Sequence, residues 1–206
     1  MSKKIICFGD SITNGHDGMY GRLHENLNSR LNEWKAGEYN CINMGHNGNT
    51  TANALDRFET DVLNELPATV LIEFGVNDCN CRAWTSIARI SLSEFERNLR
   101  EFHRLITENG SKCVFLTNHI VEPLDGSRFK NQGNGKTYTE NLLPYNQCIR
   151  DLAAELNVDL IDVGGYITDN GIDPQTLLRD DGVHLSENGY KIYSDFAAER
   201  LKEILD

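Results

Sequence analysis

Five short apolar runs punctuate the chain: KIICFG (4–9), YNCINMG (39–45), TVLIEFG (69–75), KCVFLTN (112–118) and VDLIDVG (158–164). Several are nearly continuous rather than alternating, as expected of parallel strands covered on both faces. Between them, apolar residues recur at helical spacing. Leu23, Leu27 and Leu31 lie four apart. Leu55, Phe58, Val62 and Leu66 follow the same period, and Pro67 is expected to stop that helix. In SLSEFERNLREFHRLITENG, Phe95, Leu99, Phe102 and Ile106 form one face, Ser93 and Glu96 a candidate capping box, and Gly110 the stop. Helical patterns over 142–156 and 186–205 complete the set. Alternating strand and helix predicts an α/β protein, a three-layer α/β/α sandwich with right-handed crossovers. No repeat, low-complexity tract or linker interrupts it, so residues 1–206 are expected to form a single domain.

In such sheets, ligands bind outside the carboxyl ends of the strands. Ser11 follows the first run, GHNGNT (45–50) the second and GVNDC (75–79) the third; DDGVHLS (180–186) lies between the fifth run and the last helix. All four segments are therefore expected at one rim.

Composition narrows the possible partners. The net charge of −11 disfavours nucleic acid and anionic membrane, which need a basic face. No apolar run approaches the roughly 20 residues that span a bilayer. The short apolar stretch after MSKK is below the about 7–15 residues of a secretory signal, so a cytoplasmic protein is expected. The six cysteines then read as reduced thiols. Cys7, Cys41 and Cys113 fall in strand-like runs and Cys148 on a helix. Cys79 and Cys81 are close, but one C-x-C without a second pair is a poor zinc signature. With no H-E-x-x-H or paired-carboxylate motif either, no metal or cofactor is expected.

Ester hydrolysis needs a nucleophile, a base, a group that orients the base, and donors for the oxyanion. Ser11 supplies a hydroxyl and His184 an imidazole suited to neutral pH. Asp181, three residues earlier, can share a tight turn with His184 and fix its tautomer. The Ser11 N–H at a helix start, the N–H of Gly48 and the Asn77 amide are candidate oxyanion donors. Each fragment has a simpler explanation: a cap, a surface D-x-x-H, a turn. His46 is placed as a pocket or turn residue. His16, His24, His103 and His119 have no matching acid motif and read as ordinary surface or pocket residues. Asp10 is assigned to bracing the Ser11 turn and Asp78 to a local turn. A rival reading takes GDSITNG as a phosphate loop of a non-catalytic nucleotide or flavin binder. It leaves Asn77, Asp181 and His184 unexplained, and G-x-x-x-x-G-K is missing.

FGDSIT, NMGHNGNT, GVND and DGVH, in this order and spacing, resemble the four sequence blocks of the SGNH hydrolases, the GDSL esterase/lipase family. The resemblance runs from residue 5 to about residue 200. It implies a flavodoxin-like five-stranded sheet of order 2-1-3-4-5 and a Ser-His-Asp triad. Ser11 matches the nucleophile, Gly48 and Asn77 the oxyanion positions, and Asp181 and His184 the fifth-block pair. Asn47 departs from the small residue common before the block-two glycine. The α/β-hydrolase class, with its G-x-S-x-G elbow and distant acid, does not match. The substrates implied are small-molecule acyl esters: O-acetyl sugars, short acyl esters, lysophospholipids or acyl thioesters, with acyl transfer to an alcohol as an alternative outcome. The polar, glycine-rich stretch 122–141 favours a small polar ester over a long chain. Trp84, Tyr20 and Tyr138 are candidates for stacking on a sugar ring.

Overall fold

A computed structural model of the chain describes residues 2–15 and 22–206; His16 and Tyr20 lie outside the described residues. Strands β1 (Lys3–Gly9), β2 (Tyr39–Gly45), β3 (Thr69–Glu73), β4 (Lys112–Leu116) and β5 (Asp159–Ile161) form a parallel sheet of order 2-1-3-4-5. Each apolar run holds one strand. Gly9 pairs with Gly45 on one side and Glu73 on the other, so β2, β1 and β3 leave the sheet at one level.

The strands alternate their side chains between two cores, as the period of two requires. Ile6, Phe8, Val70, Ile72 and Phe115 meet α3 (Thr51–Asp56), α4 (Phe58–Asp61), α6 (Leu92–Glu108) and α7 (Tyr138–Leu156). Ile5, Cys7, Leu71, Val114 and Leu116 meet α2 (Leu23–Trp34), α8 (Val163–Asp169), α9 (Pro174–Leu177) and α10 (Glu187–Leu205). Phe8 packs edge-on against Phe58, Phe74 and Phe102 at centroid distances of 5.5, 5.3 and 5.7 Å. Burying each such ring contributes about 1.5–3 kcal/mol. These rings wedge α4 and α6 onto β1, the strand that leads into the Ser11 turn.

Local signals were partly misplaced. The Leu55–Leu66 pattern folds as α3, α4 and a 3-10 turn (Leu63–Glu65) rather than one helix. The break falls at Arg57 (φ −111°, ψ 5°), whose guanidinium donates to the carbonyls of Gly9 and Met44. The α6 cap is Ser91, which accepts from the Glu94 N–H, so the box expected at Ser93 and Glu96 does not form. A Thr137–Glu140 capping box starts α7 four residues before the expected Leu142. At the end of β5, Asp162 accepts from the Gly165 N–H and starts α8, a helix missing from the apolar pattern. All six thiols are free. Among the described residues no helix is long and apolar enough to cross a membrane.

Candidate active site

The chain leaving β1 turns at Asp10 into the four-residue α1 (Ser11–Asn14). The Asp10 carboxylate accepts from the Ile12 N–H at 2.8 Å, which makes it the cap of this turn. Ser11, at the first helical position, has an N–H with no acceptor inside the helix. Ser11 as a whole is buried, at 6% exposure. Tyr190 on α10 donates to the carbonyl of Ile12 at 3.1 Å, and the Thr13 hydroxyl donates to Glu73 at 2.8 Å. The turn is thus pinned by α10 on one side and by the end of β3 on the other.

His184 approaches from the loop before α10. Its Nε2 lies 3.1 Å from Ser11 Oγ, and its Nδ1 lies 2.6 Å from Asp181 Oδ2. The other Asp181 oxygen accepts from the backbone N–H groups of Val183 and His184, both at 2.9 Å. Gly182 allows this turn: its φ is +68°, and a Cβ there would meet the Glu122 carbonyl oxygen at 2.1 Å. Burial alone would raise the Asp181 pKa, but the hydrogen bonds from the His184 ring and from both N–H groups hold it well below the usual carboxylate range. Asp181 therefore stays an acceptor at neutral pH. The proton of neutral His184 must sit on Nδ1, leaving Nε2 bare to accept from the Ser11 hydroxyl.

The donor side lies opposite. Gly48 occupies the turn after β2 with φ +75°, a conformation glycine adopts without strain. Asn77 lies on α5 (Val76–Cys79), directly after β3, and its Nδ2 donates to Asp10 Oδ2 at 2.8 Å. An amide nitrogen carries two protons, so one remains for a ligand. Asn47 binds Asn14 side chain to side chain at 2.9 Å.

Other residues differ from the sequence reading. His119 is fully buried, not a surface or pocket residue, and its Nε2 contacts the Val183 carbonyl at 2.7 Å. The carbonyl can only accept, so His119 Nε2 donates and braces the Asp181–His184 loop from below. Burial lowers its pKa to about 4, keeping it neutral. Asp78 does not serve a local turn: it accepts from both the N–H (2.9 Å) and the hydroxyl (2.6 Å) of Thr51 on α3. His46 lies half-exposed, 3.6 Å from Asp61. Tyr138 is buried and donates to the Val76 carbonyl, so it offers no face for stacking. Trp84, by contrast, is 76% exposed, on a loop that departs after Asn77 and returns beside it at Arg89. Sequence reasoning passed over Arg89 and Arg57, because an arginine between motifs carries no local signal.

Asp78 is also a test of buried charge. Burial raises its pKa from 3.8 to about 6, against the hydrogen bonds from Thr51. A carboxyl whose pKa is raised on folding gives its full stability below the unfolded value and loses it as pH rises through the folded value. Stability should therefore fall between pH 3.8 and about 6 for this group. Asp78→Asn is expected to remove that fall. The variant should be more stable than the parent at pH 8 by up to about 3 kcal/mol, with the gap closing near pH 4. Urea unfolding at the two pH values checks this, and a gap that widens on acidification would refute it.

Comparison with known proteins agrees with this geometry. Residues 7–192 match the model of the GDSL-like Lipase/Acylhydrolase family. The isoamyl acetate-hydrolyzing esterase of Saccharomyces cerevisiae is 26% identical over 94% of this chain and 83% of its own. A lipase/acylhydrolase from Enterococcus faecalis superposes with a TM-score of 0.81 at 25% identity, covering 98% of this chain and 96% of its own. The acetylxylan esterase Axe2 from Geobacillus stearothermophilus shares the fold, with a TM-score of 0.75 at 20% identity over 97% of this chain and 94% of its own. The chain belongs to the GDSL-like (SGNH) family of esterases and acylhydrolases, and it is a carboxylic ester hydrolase.

Proposed function

We propose that Ser11 is the nucleophile of a short-chain acyl esterase, with His184 as general base and Asp181 orienting it. The observation that carries this reading is the unbroken hydrogen-bonded chain from Ser11 Oγ through His184 to Asp181, at 3.1 and 2.6 Å. In the reaction, Ser11 Oγ attacks the acyl carbonyl while its proton passes to His184 Nε2. The Ser11 and Gly48 N–H groups and the free N–H of Asn77 receive the negative oxygen. His184 then protonates the departing alcohol, and water, deprotonated by the same imidazole, cleaves the acyl-enzyme. Asp181 compensates the imidazolium without taking its proton.

The substrate class within this reading is the acetyl or other short acyl ester of a carbohydrate-like alcohol. Three observations support it. A sequence relative is named for hydrolysing an acetate ester. The loop over 122–137 is polar and glycine-rich, with Lys130, Lys136 and Thr137 among its residues. Exposed Trp84, with the Arg82 guanidinium 5.7 Å from its ring centre, offers the flat apolar face on which sugars stack.

A panel of acetylated xylooligosaccharides, p-nitrophenyl acetate, p-nitrophenyl decanoate, a lysophospholipid and an acyl thioester tests this. Acetyl esters should exceed the decanoate by at least about tenfold in kcat/KM. Addition of an alcohol should not divert most of the acyl group from water. A preference for the decanoate, lysophospholipid or thioester, or predominant transfer to alcohol, would overturn the substrate reading.

A further inference from the structure

The two donor segments that flank Ser11 share no backbone. Gly48 follows β2 and Asn77 follows β3, and β1 lies between those strands. One side chain joins them. Arg89 donates through Nη2 to the Gly48 carbonyl at 3.0 Å and through Nη1 to Asn77 Oδ1 at 3.3 Å. We propose that Arg89 is a positioning residue of the oxyanion hole, fixing the Asn77 amide and the Gly48 turn relative to Ser11. The inference rests on the site reading proposed above.

Three physical consequences follow from the fork. A guanidinium has donors and no acceptor, so the group of Asn77 that faces it must be the oxygen. That choice sends the NH₂ toward Asp10 and Ser11, where a flipped amide would present an oxygen to the developing charge. A carbonyl bonded to a cation also polarises its own amide, which makes the remaining Asn77 N–H a stronger donor. Finally, Gly48 is exposed, and among the described residues nothing lies within 4 Å of where its Cβ would be. The residues on either side are held by Asn14 to the Asn47 oxygen and by Arg57 to the Asn49 oxygen, and the tether through its carbonyl restrains Gly48 itself.

Arg89 is itself held in place. Its N–H donates to the Asn80 carbonyl at 3.1 Å, and the next N–H, of buried Ile90, donates to the Asp78 carbonyl at 3.1 Å. Burial and the neighbouring Arg82 lower its pKa, and the carboxylates of Asp78 and Asp10 oppose that shift. Lysine can place a charge there but cannot form the planar fork.

The experiment compares Arg89→Ala, Arg89→Lys, Asn77→Ala and the Arg89→Ala/Asn77→Ala double variant, with Ser11→Ala assayed alongside. Asn77→Ala should lower kcat by about 10²–10³, the usual cost of one oxyanion donor. Arg89→Ala, acting through that donor, should lower kcat by about 10- to 100-fold and leave KM within about threefold. In the Asn77→Ala background the same change should cost no more than about threefold, the share acting through Gly48. Added methylguanidinium should restore kcat severalfold in Arg89→Ala and leave Asn77→Ala unchanged. If Arg89→Ala does not fold, Arg89→Lys carries the test, with a kcat about three- to tenfold below wild type. Wild-type kcat in both variants, a loss confined to KM, or an equal loss with and without Asn77 would overturn the inference. If Ser11→Ala keeps full turnover, the site reading falls and takes the inference with it. If Ser11→Ala is inactive and Arg89 is neutral, only the inference falls.

Discussion

Ser11→Ala is expected to lower ester hydrolysis by up to about 10⁶ in turnover, the scale on which nucleophile loss acts in a well-dissected serine hydrolase. The variant should keep its fold. The hydroxyl's partner in this arrangement is His184 Nε2, whereas the turn depends on the Asp10 cap, Thr13–Glu73 and Tyr190–Ile12 contacts. Substrate should still bind, because the donors for the carbonyl oxygen are untouched. A fluorophosphonate should label the wild type once, on Ser11, and should not label the variant. The alternative for this residue is a small polar side chain at a helix start with no chemistry. Under that alternative Ser11→Ala keeps its turnover and the adduct maps elsewhere by mass spectrometry, which would end the nucleophile assignment.

Asp181→Asn is expected to lower turnover by about 10⁴ with little loss of stability. Asn retains an oxygen that can accept from the N–H groups of Val183 and His184, so the loop turn survives. The second atom changes from acceptor to donor and faces His184 Nδ1, 2.6 Å away in the parent. The imidazole must then carry its proton on Nε2, where it meets the Ser11 hydroxyl as a donor and cannot take its proton. Geometry is preserved and the tautomer is inverted. Kinetics and thermal unfolding on the same variant separate this from simple disruption. A variant within tenfold of wild-type turnover would mean that Asp181 serves the loop and not the histidine.

The corrections to the sequence reading share one physical origin. Ser93 and Glu96 satisfied a local capping pattern, yet Ser91 satisfies another two residues earlier, and the buried Ile90 decides between them. The Leu55–Leu66 period was real, but Arg57 takes hydrogen bonds to β1 and β2 carbonyls that a continuous helix would not allow. His119 had no neighbouring acid in the chain, so it read as ordinary. Its partner, the Val183 carbonyl, is 64 residues away.

What the amino-acid order determined by itself was carried by short periods and short spacings. The five apolar runs defined the strands because a strand covered on both faces must be apolar throughout. The three-residue spacing of Asp181 and His184 suited one turn closing on itself, with Gly182 supplying the left-handed conformation between them. The positions of Ser11, Gly48 and Asn77 after three successive runs placed them at one rim. Only the tertiary structure decided which side chains meet there. The link from Asp10 to Asn77 spans 67 residues, that from Ser11 to His184 spans 173, and Arg89 joins Asn77 to Gly48, 41 residues before it. Such pairings depend on strand order and register, through which a parallel sheet aligns chain ends that are remote in sequence. No local pattern of residues encodes them, because each partner is compatible with many others until the sheet has closed.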